Sequence, residues 1–255
     1  MERVTVVLVH GLPETSEVWK PLRKVLGRNP VAVTLLDRTS VAVELPGFGT
    51  PRPHGFTATK DAYAEWLAEV LRTVERPVDV VGHDIGAALT MRVATALDVR
   101  LRSWIVDTAS IFHPKFVWPD RVRKLLTPED GGEMLGTSWQ LGPTARRDGP
   151  GATRQQVKVM EGAHDRVMSQ SALDFYCSAI PNVAADWWKG ARGPTKSRGM
   201  VLLLQDHPEG EAMSLEVASR LGAKTVRLYG LNRRWMVDAP EMVAPVLEQF
   251  WSSLH

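Results

Sequence analysis

The sequence lacks the features that would place it outside the ordinary class of soluble globular proteins. Cys177 is the only cysteine in 255 residues, so no disulfide can form within the chain and nothing favours secretion. No run approaches the roughly 20 apolar residues that cross a bilayer. The apolar run near the start is also too short for a signal peptide. We therefore expect a cytoplasmic protein that makes no membrane contact.

A strong charge of one sign is missing as well. The chain has 31 Lys and Arg against 29 Asp and Glu, for a formal net charge of +2. No basic run is long enough to bind a polyanion, so no nucleic-acid partner is expected. None of the histidines has the spacing of a metal site, and no cofactor is predicted. The expected partner is a small-molecule substrate, and the expected state is a monomer or a homodimer.

Short apolar runs alternate with amphipathic stretches along most of the chain. Strands are predicted over residues 4–9, 41–45, 78–81, 101–106, 200–204 and 225–228, and the clearest helices over 61–74, 211–221 and 240–251. This alternation predicts an α/β fold, with a mostly parallel central sheet and helices on both faces. Ligands bind such sheets beyond the carboxyl ends of the strands.

The pattern changes after Phe112, where the strand signals stop. From residue 113 to residue 198, short helical patches alternate with stretches rich in Gly and Pro. We predict that residues 1–112 and 199–255 together form a sheet domain. Residues 113–198 are predicted to form a helical cap inserted into it.

The stretch Pro77–Thr90, PVDVVGHDIGAALT, has the layout of a nucleophile elbow. A β-branched strand runs into Gly82, and a helix begins around Gly86. Small residues on both sides let the strand and the helix approach closely around a strained central residue, here Asp84. The helix N-terminus favours negative charge at that point. The alternative is that Asp84 merely caps the helix.

Three motifs together resemble the α/β-hydrolase superfamily. HGLP at residues 10–13, LPGFG at 45–49 and GHDIG at 82–86 have its order and spacing. The form H-G-x-P combined with an Asp at the elbow resembles epoxide hydrolases. The resemblance covers the whole chain, because the segment RLYGLNRRWMVDAP is similar to the family's terminal segment. It implies an α/β-hydrolase fold, with the insertion where that family has its helical cap.

The resemblance also implies a two-step reaction centred on Asp84. This carboxylate would attack an epoxide carbon while Tyr176 protonates the leaving oxygen, which leaves an ester on the enzyme. A His held by a second carboxylate, Asp206 by position, would then activate water. The backbone N–H groups of Leu12 and Ile85 would form the oxyanion hole. Tyr176 could instead be a packing aromatic, and Asp206 could belong to a turn at a strand end.

The terminal segment departs from the family pattern. Where relatives have Gly-His-Trp, this chain has Asn-Arg-Arg, so Arg233 occupies the position of the catalytic His. A guanidinium stays protonated and cannot take a proton from water. We expect Arg233 to face Asp84 as an ion pair, with hydrolysis altered. Another histidine could substitute. His207 and His83 are candidates by position, although His83 would point away from Asp84 in a standard elbow.

The predicted pocket suggests an aromatic or flat apolar substrate. Ile85 stands where haloalkane dehalogenases carry a halide-binding Trp, so halide release is a weak alternative. The chain has nine Trp, several of them in the predicted cap, although core packing would also explain them. The residues predicted to bind the substrate are His10, Pro13, Trp118, Trp139, Trp187 and Trp188.

Three functions follow from these residues. The first is an epoxide-hydrolase-like enzyme with a changed second step. The second is a non-hydrolytic enzyme for the cyclisation, elimination or rearrangement of an aromatic natural product. There Asp84, Tyr176 and Arg233 would act as acid, base and anion clamp. The third is a catalytically silent protein with the hydrolase fold that binds a ligand or a partner.

Overall fold

The central sheet has six parallel strands. The computed structural model describes residues 3–26, 37–75, 77–126, 165–204 and 208–254. Within these ranges the strand order is β2-β1-β3-β4-β5-β6, and every neighbouring pair is parallel. The predicted parallel sheet is therefore confirmed. The strands are β1 (Arg3–Val9), β2 (Asp37–Val43), β3 (Val78–Gly82), β4 (Ser103–Val106), β5 (Arg198–Leu204) and β6 (Lys224–Leu228).

The strand order places a crevice between β1 and β3. The chain leaves β1 towards β2 on one side, and it leaves β3 towards β4 on the other side. The loops after these two neighbouring strands therefore diverge at the carboxyl edge of the sheet, and such a switch point is where ligands bind in this architecture. The HGLP loop and the GHDIG turn are the two segments that follow β1 and β3.

Helices cover both faces of the sheet, because alternate strand residues point to opposite sides. Val7 and Val80 belong to one apolar cluster, whereas Leu8 and Val81 belong to the other. The helices are α1 (Lys20–Val25), α2 (Lys60–Thr73), α3 (Ile85–Ala96), α4 (Asp120–Leu125), α5 (Arg166–Ser178), α6 (Ala184–Gly190), α7 (Pro208–Leu221), α8 (Trp235–Asp238) and α9 (Pro240–Ser252), with 3-10 turns at Ser16–Trp19 and Ala109–Phe112.

Side-chain caps define where two of these helices begin. The Thr59 hydroxyl accepts a hydrogen bond from the Ala62 N–H at 3.2 Å at the start of α2. The Asp165 carboxylate accepts one from the Met168 N–H at 2.8 Å at the start of α5. Each cap satisfies a first-turn N–H that has no partner within its helix.

Strand β2 lies earlier in the chain than predicted. The apolar pattern predicts a strand at residues 41–45, but β2 ends at Val43. Leu45 has left the sheet, and its N–H donates a hydrogen bond to His10 Nε2 at 3.0 Å. A contact with the loop after β1 therefore replaces the sheet pairing that the local pattern indicates.

The described part of the predicted cap is helical. Residues 113–126 and 165–197 contain α4, α5 and α6 and no strand. Polar contacts tie α5 and α6 to the sheet domain. Arg52 pairs with Asp174 at 2.5 Å, Lys60 pairs with Asp186 at 2.6 Å, and the Trp187 indole donates to Asp61 at 2.8 Å. The domain boundaries themselves stay a prediction.

Candidate active site

Asp84 lies at the tip of a sharp turn between β3 and α3. β3 ends at Gly82 and α3 begins at Ile85. Asp84 has φ 52° and ψ −118°, a conformation that non-glycine residues rarely adopt and that is found at functional sites. Its side chain makes no capping hydrogen bond to α3. The geometry is therefore that of a sharp elbow between strand and helix rather than of a simple N-cap, and the role of Asp84 as a nucleophile stays a prediction.

Glycines allow the close approach of the segments around Asp84. A Cβ on Gly82 would lie 2.4 Å from the Gly86 carbonyl oxygen, and one on Gly86 would lie 2.4 Å from that of Val9. A Cβ on Gly11 would lie 2.6 Å from the Asp84 Cβ. No side chain fits at these distances, so the glycines at the elbow and in HGLP are required sterically.

The two oxygens of the Asp84 carboxylate have different partners. Oδ2 accepts a hydrogen bond from the Leu12 N–H at 3.4 Å, and Oδ1 accepts one from Arg233 Nη2. The Asp84 side chain is 14% exposed and that of Arg233 is 38% exposed. The guanidinium thus contacts the carboxylate directly, in a charge-assisted hydrogen bond at the edge of the buried region.

The residues predicted to form the oxyanion hole flank this carboxylate. The Leu12 N–H already points at Oδ2 of Asp84. Ile85 is the first residue of α3, so its N–H belongs to the first turn, which has no acceptor within the helix. An oxyanion role for the two N–H groups stays a prediction.

His10 holds the loop after β1 in place. Its Nε2 accepts from the Leu45 N–H at 3.0 Å, and its Nδ1 lies 2.8 Å from the Gly11 carbonyl. Burial lowers the pKa of His10, which favours the neutral ring that this pattern requires. Both ring nitrogens are occupied by backbone, so the geometry favours a loop-shaping role over the predicted substrate contact. Pro13, also predicted to bind substrate, is half-buried in the same loop.

A buried carboxylate behind the elbow, Asp107, was not predicted from the sequence. It follows β4 and is fully buried. Its Oδ1 accepts from the Asp84 N–H at 3.1 Å, and its Oδ2 accepts from the Trp235 indole at 2.7 Å. The sequence signal was its place directly after a predicted strand, the same place that singles out Asp84.

His83 joins Asp107 to a second carboxylate, Glu14. His83 Nδ1 lies 2.5 Å from Asp107 Oδ2, and Nε2 lies 3.5 Å from Glu14 Oε1. Burial by itself lowers the pKa of His83, but the two carboxylates outweigh it and raise that pKa well above its usual value. Burial by itself raises the pKa values of Asp107 and Glu14, but the charge of His83 outweighs this effect and lowers both. A carboxylate lies at each ring nitrogen of His83, which favours the charged ring and leaves neither nitrogen open to act as a base for Asp84.

Tyr176 lies on α5 and is buried. Its ring packs edge-on against Trp118, with ring centroids 5.1 Å apart, and against Phe175 at 5.7 Å. The Trp118 indole donates to the Ala179 carbonyl at 3.1 Å. These contacts fit a packing aromatic, and the predicted roles of Tyr176 as an acid and of Trp118 as a substrate contact stay predictions.

Trp187 and Trp188 attach α6 to the sheet domain. Besides the bond of Trp187 to Asp61, the Lys60 ammonium lies 4.5 Å from the Trp187 ring centroid. The Arg220 guanidinium lies 4.3 Å from the Trp188 ring centroid. These cation–π contacts support the alternative that the two indoles have a packing role. Substrate binding by them stays a prediction.

Three further residues named from the sequence lie outside the described ranges. They are Asp206, predicted as the second carboxylate, Trp139, predicted to bind substrate, and His207, a candidate replacement base.

The described groups at Asp84 can supply an anion, a cation and a backbone N–H donor. The carboxylate can attack an electrophilic carbon or take a proton, and the guanidinium can only donate hydrogen bonds.

No group of three or more metal-ligating side chains occurs among the described residues. No described helix has both the length and the apolar character to cross a membrane.

Comparisons with known proteins agree with this architecture. The sequence profile of the alpha/beta hydrolase family matches residues 6–246. No curated protein sequence matches the chain.

Several solved structures share the fold. A candidate epoxide hydrolase from Pseudomonas aeruginosa superposes with a TM-score of 0.76 at 19% identity, covering 98% of this chain and 89% of that one. A loop variant of a haloalkane dehalogenase from Bradyrhizobium elkanii gives 0.74 at 15% identity, covering 99% and 90%. MenH from S. aureus gives 0.75 at 13% identity, covering 100% and 95%.

Proposed function

This chain belongs to the alpha/beta hydrolase family, and we propose that it is an epoxide-hydrolase-like member acting on a small aromatic or apolar substrate through Asp84. The observation that carries the proposal is the Asp84 side chain at the elbow tip, with one carboxylate oxygen on the Leu12 N–H. In this proposal, activation of water differs from the usual route because Arg233 stands where the family carries its His.

The first step uses the two oxygens of Asp84 differently. Oδ2 stays on the Leu12 N–H, so Oδ1 is the atom that attacks an epoxide carbon. The carbon–oxygen bond of the epoxide breaks, Tyr176 gives its proton to the leaving oxygen, and a hydroxyalkyl ester of Asp84 forms. Negative charge that develops when water later attacks this ester would lie near the N–H groups of Leu12 and Ile85.

Arg233 makes both steps slower than in a His-containing enzyme. It donates to Oδ1, the attacking atom, and a hydrogen bond to a charged group contributes about 1.5–3 kcal/mol. Because Oδ1 must give up this hydrogen bond in order to attack, the bond would slow the attack by about 10- to 100-fold. A guanidinium also cannot accept a proton from water, so we expect the ester to accumulate.

The neighbouring structures include enzymes of two kinds. One of them carries an epoxide hydrolase assignment and another is a haloalkane dehalogenase. At their identities the likeness concerns the fold alone. Asp84 at the elbow and the HGLP loop support the epoxide-hydrolase-like choice. Ile85 in place of the halide-binding Trp disfavours halide release.

The test is incubation with styrene oxide in isotopically labelled water, followed by intact-mass analysis. We expect a protein adduct of one epoxide mass, located on Asp84 by peptide mapping, and only slow release of diol. Asp84→Asn should form no adduct, whereas the control Asp174→Asn, on α5, should react like wild type. If wild type forms neither adduct nor diol and Asp84→Asn behaves identically, the proposal is wrong.

The Arg233–Asp84 contact favours a second candidate, a non-hydrolytic cyclisation, elimination or rearrangement of an aromatic natural product. With a permanent cation and no proton shuttle, the carboxylate would act as a base and Arg233 would hold an anionic intermediate. Product that lacks oxygen from the labelled water supports this reading over the first. A silent binding protein would instead show ligand-dependent thermal stabilisation without product.

A further inference from the structure

The Asp84–Arg233 pair joins two parts of the chain that are 149 positions apart. Asp84 follows β3, and Arg233 lies between β6 and α8. An arginine side chain has many rotamers, and holding it in one geometry costs side-chain entropy. A separate structural element must therefore bring both backbones to the correct separation.

Asp107 contacts both parts through one carboxylate. Its Oδ1 accepts from the backbone N–H of Asp84, and its Oδ2 accepts from the indole of Trp235, two residues after Arg233. Trp235 is the first residue of α8 and is fully buried, and its ring packs against Trp19 with centroids 5.8 Å apart. The indole bond therefore fixes the start of α8 relative to the elbow.

We propose that Asp107 is the positioning residue that sets the geometry between Asp84 and Arg233, holding the first by its backbone N–H and the second through Trp235. The proposal rests on the proposed function, since it deepens the role of the same site. It also accounts for a fully buried carboxylate that neither half-reaction uses.

His83 keeps Asp107 ionised in this arrangement. A fully buried carboxylate without a cation nearby would be protonated and would lose one of its acceptor oxygens. The His83 ring at 2.5 Å supplies that cation, and Glu14 on its other side holds the ring in place. The Thr108 hydroxyl donates a further bond to Asp107 Oδ1 at 2.9 Å.

The first test compares two buried carboxylates. Asp79 is also fully buried, and it is paired with Arg102 at 2.8 Å, nearer the other end of the strands. Asp107→Asn and Asp79→Asn should both lower thermal stability. Only Asp107→Asn should slow labelling of Asp84 by styrene oxide, by about 10- to 100-fold. It weakens the charge-assisted bond to the Asp84 N–H that holds the attacking residue in place, and this loss outweighs the gain from a looser Arg233.

The second test compares two buried indoles. Trp235→Phe removes the hydrogen bond to Asp107 and keeps most of the ring volume. Trp19→Phe removes a similar volume, and the Trp19 indole N–H has no hydrogen-bond partner in the described structure. Trp235→Phe should loosen Arg233 and speed the labelling of Asp84 severalfold, whereas Trp19→Phe should leave the rate within about twofold of wild type.

NMR spectroscopy gives a readout that does not need an epoxide. In wild type, the guanidinium protons of Arg233, assigned with Arg233→Lys, should exchange slowly with water. Exchange should accelerate in Asp107→Asn and Trp235→Phe and remain slow in Asp79→Asn and Trp19→Phe. If the test variants match their controls in both labelling and NMR, Asp107 has no positioning role. If wild type is never labelled, the proposed function fails while the NMR comparison still decides about Asp107.

Discussion

The side chain at position 233 is a cation in direct contact with the carboxylate of Asp84. Arg233 donates to the carboxylate oxygen of Asp84 that the Leu12 N–H leaves open. Among the described residues, His10 and His83 flank the site, but backbone holds the first and two carboxylates hold the second. Neither of these two imidazoles is therefore placed to take a proton from water at Asp84.

Replacing the arginine by histidine should create diol formation that depends on pH. A His at 233 would lie beside the Asp84 carboxylate, which raises the pKa of an imidazole, and only its neutral form accepts a proton. We expect Arg233→His to release diol with a rate that rises from pH about 6 to about 9. Diol release from styrene oxide, measured across that range, checks this prediction.

The control is Arg234→His, one position further along. Arg234 pairs with Asp238 on α8 at 3.0 Å and not with Asp84. It should show the slow diol release of wild type at every pH. A rate for Arg233→His that is flat with pH, or no higher than that of Arg234→His, would count against a base role at this position.

At the scale of elements, α2 holds two described helices of the predicted cap to the sheet domain. Lys60, the first residue of α2, is 5% exposed. Its ammonium contacts Asp186 and the Trp187 ring on α6, and its backbone N–H donates to the Ser178 hydroxyl at the end of α5 at 2.8 Å. One lysine therefore contacts both helices.

We expect Lys60→Met to loosen α6 locally with little change in global stability. The Asp186 side chain is 65% exposed, so solvent screens the ion pair. Together with the cation–π contact it contributes on the order of 1 kcal/mol. Hydrogen exchange of α6 amides should become about fivefold faster, as mass spectrometry can measure. Lys189→Met, an exposed lysine of α6, should leave exchange unchanged, and equal effects of the two variants would contradict the prediction.

The strands and helices show how much of the secondary structure short-range sequence patterns predict. Apolar periodicity correctly indicates the six strands and the helices α2, α7 and α9, because strand and helix formation depend on neighbouring residues. Apolar periodicity does not indicate where β2 ends. Leu45 fits the strand pattern, but its N–H donates to His10, which lies in the loop after β1 and is distant in sequence. Periodicity also gives no signal for α6, which is short and lies directly before a stretch rich in Gly and Pro.

For the whole molecule, the buried group of His83, Asp107 and Glu14 makes stability depend on pH. The pKa of His83 is raised above 6.5, so its contribution is complete below pH 6.5 and is lost as the pH rises through the folded value. The pKa values of Asp107 and Glu14 are lowered from 3.8 and 4.5, so their contributions are complete above those values and are lost as the pH falls through the folded values. All three contributions are complete only between pH 4.5 and 6.5.

The difference in melting temperature between wild type and His83→Gln should therefore be largest at pH about 5.5 and shrink by pH about 9. Gln keeps a polar side chain but cannot carry the charge that stabilises the two carboxylates. Thermal unfolding followed by circular dichroism at several pH values measures this difference. His54→Gln, at an exposed loop residue, is the control and should show no such trend. A His83→Gln difference that stays constant with pH would contradict the assignment of a buried imidazolium.

The sequence by itself determined the parallel α/β architecture, the sharp turn at Asp84 and the presence of an arginine at position 233. These features depend on local pattern, on glycines at short spacing and on a residue type at one position, all of which can be read along the chain. The predicted roles of Tyr176 and of the tryptophans depend on a pocket that local pattern does not describe.

Only the tertiary structure decided which oxygen of Asp84 the guanidinium contacts, and that Asp107, His83 and Glu14 form one charged group behind the elbow. These contacts join residues from β-strand ends and loops that are far apart in sequence. Their energies depend on burial and on distances of a few ångströms, because a charge interaction that is weak in water becomes strong when solvent is excluded. No pattern within a short window carries that information.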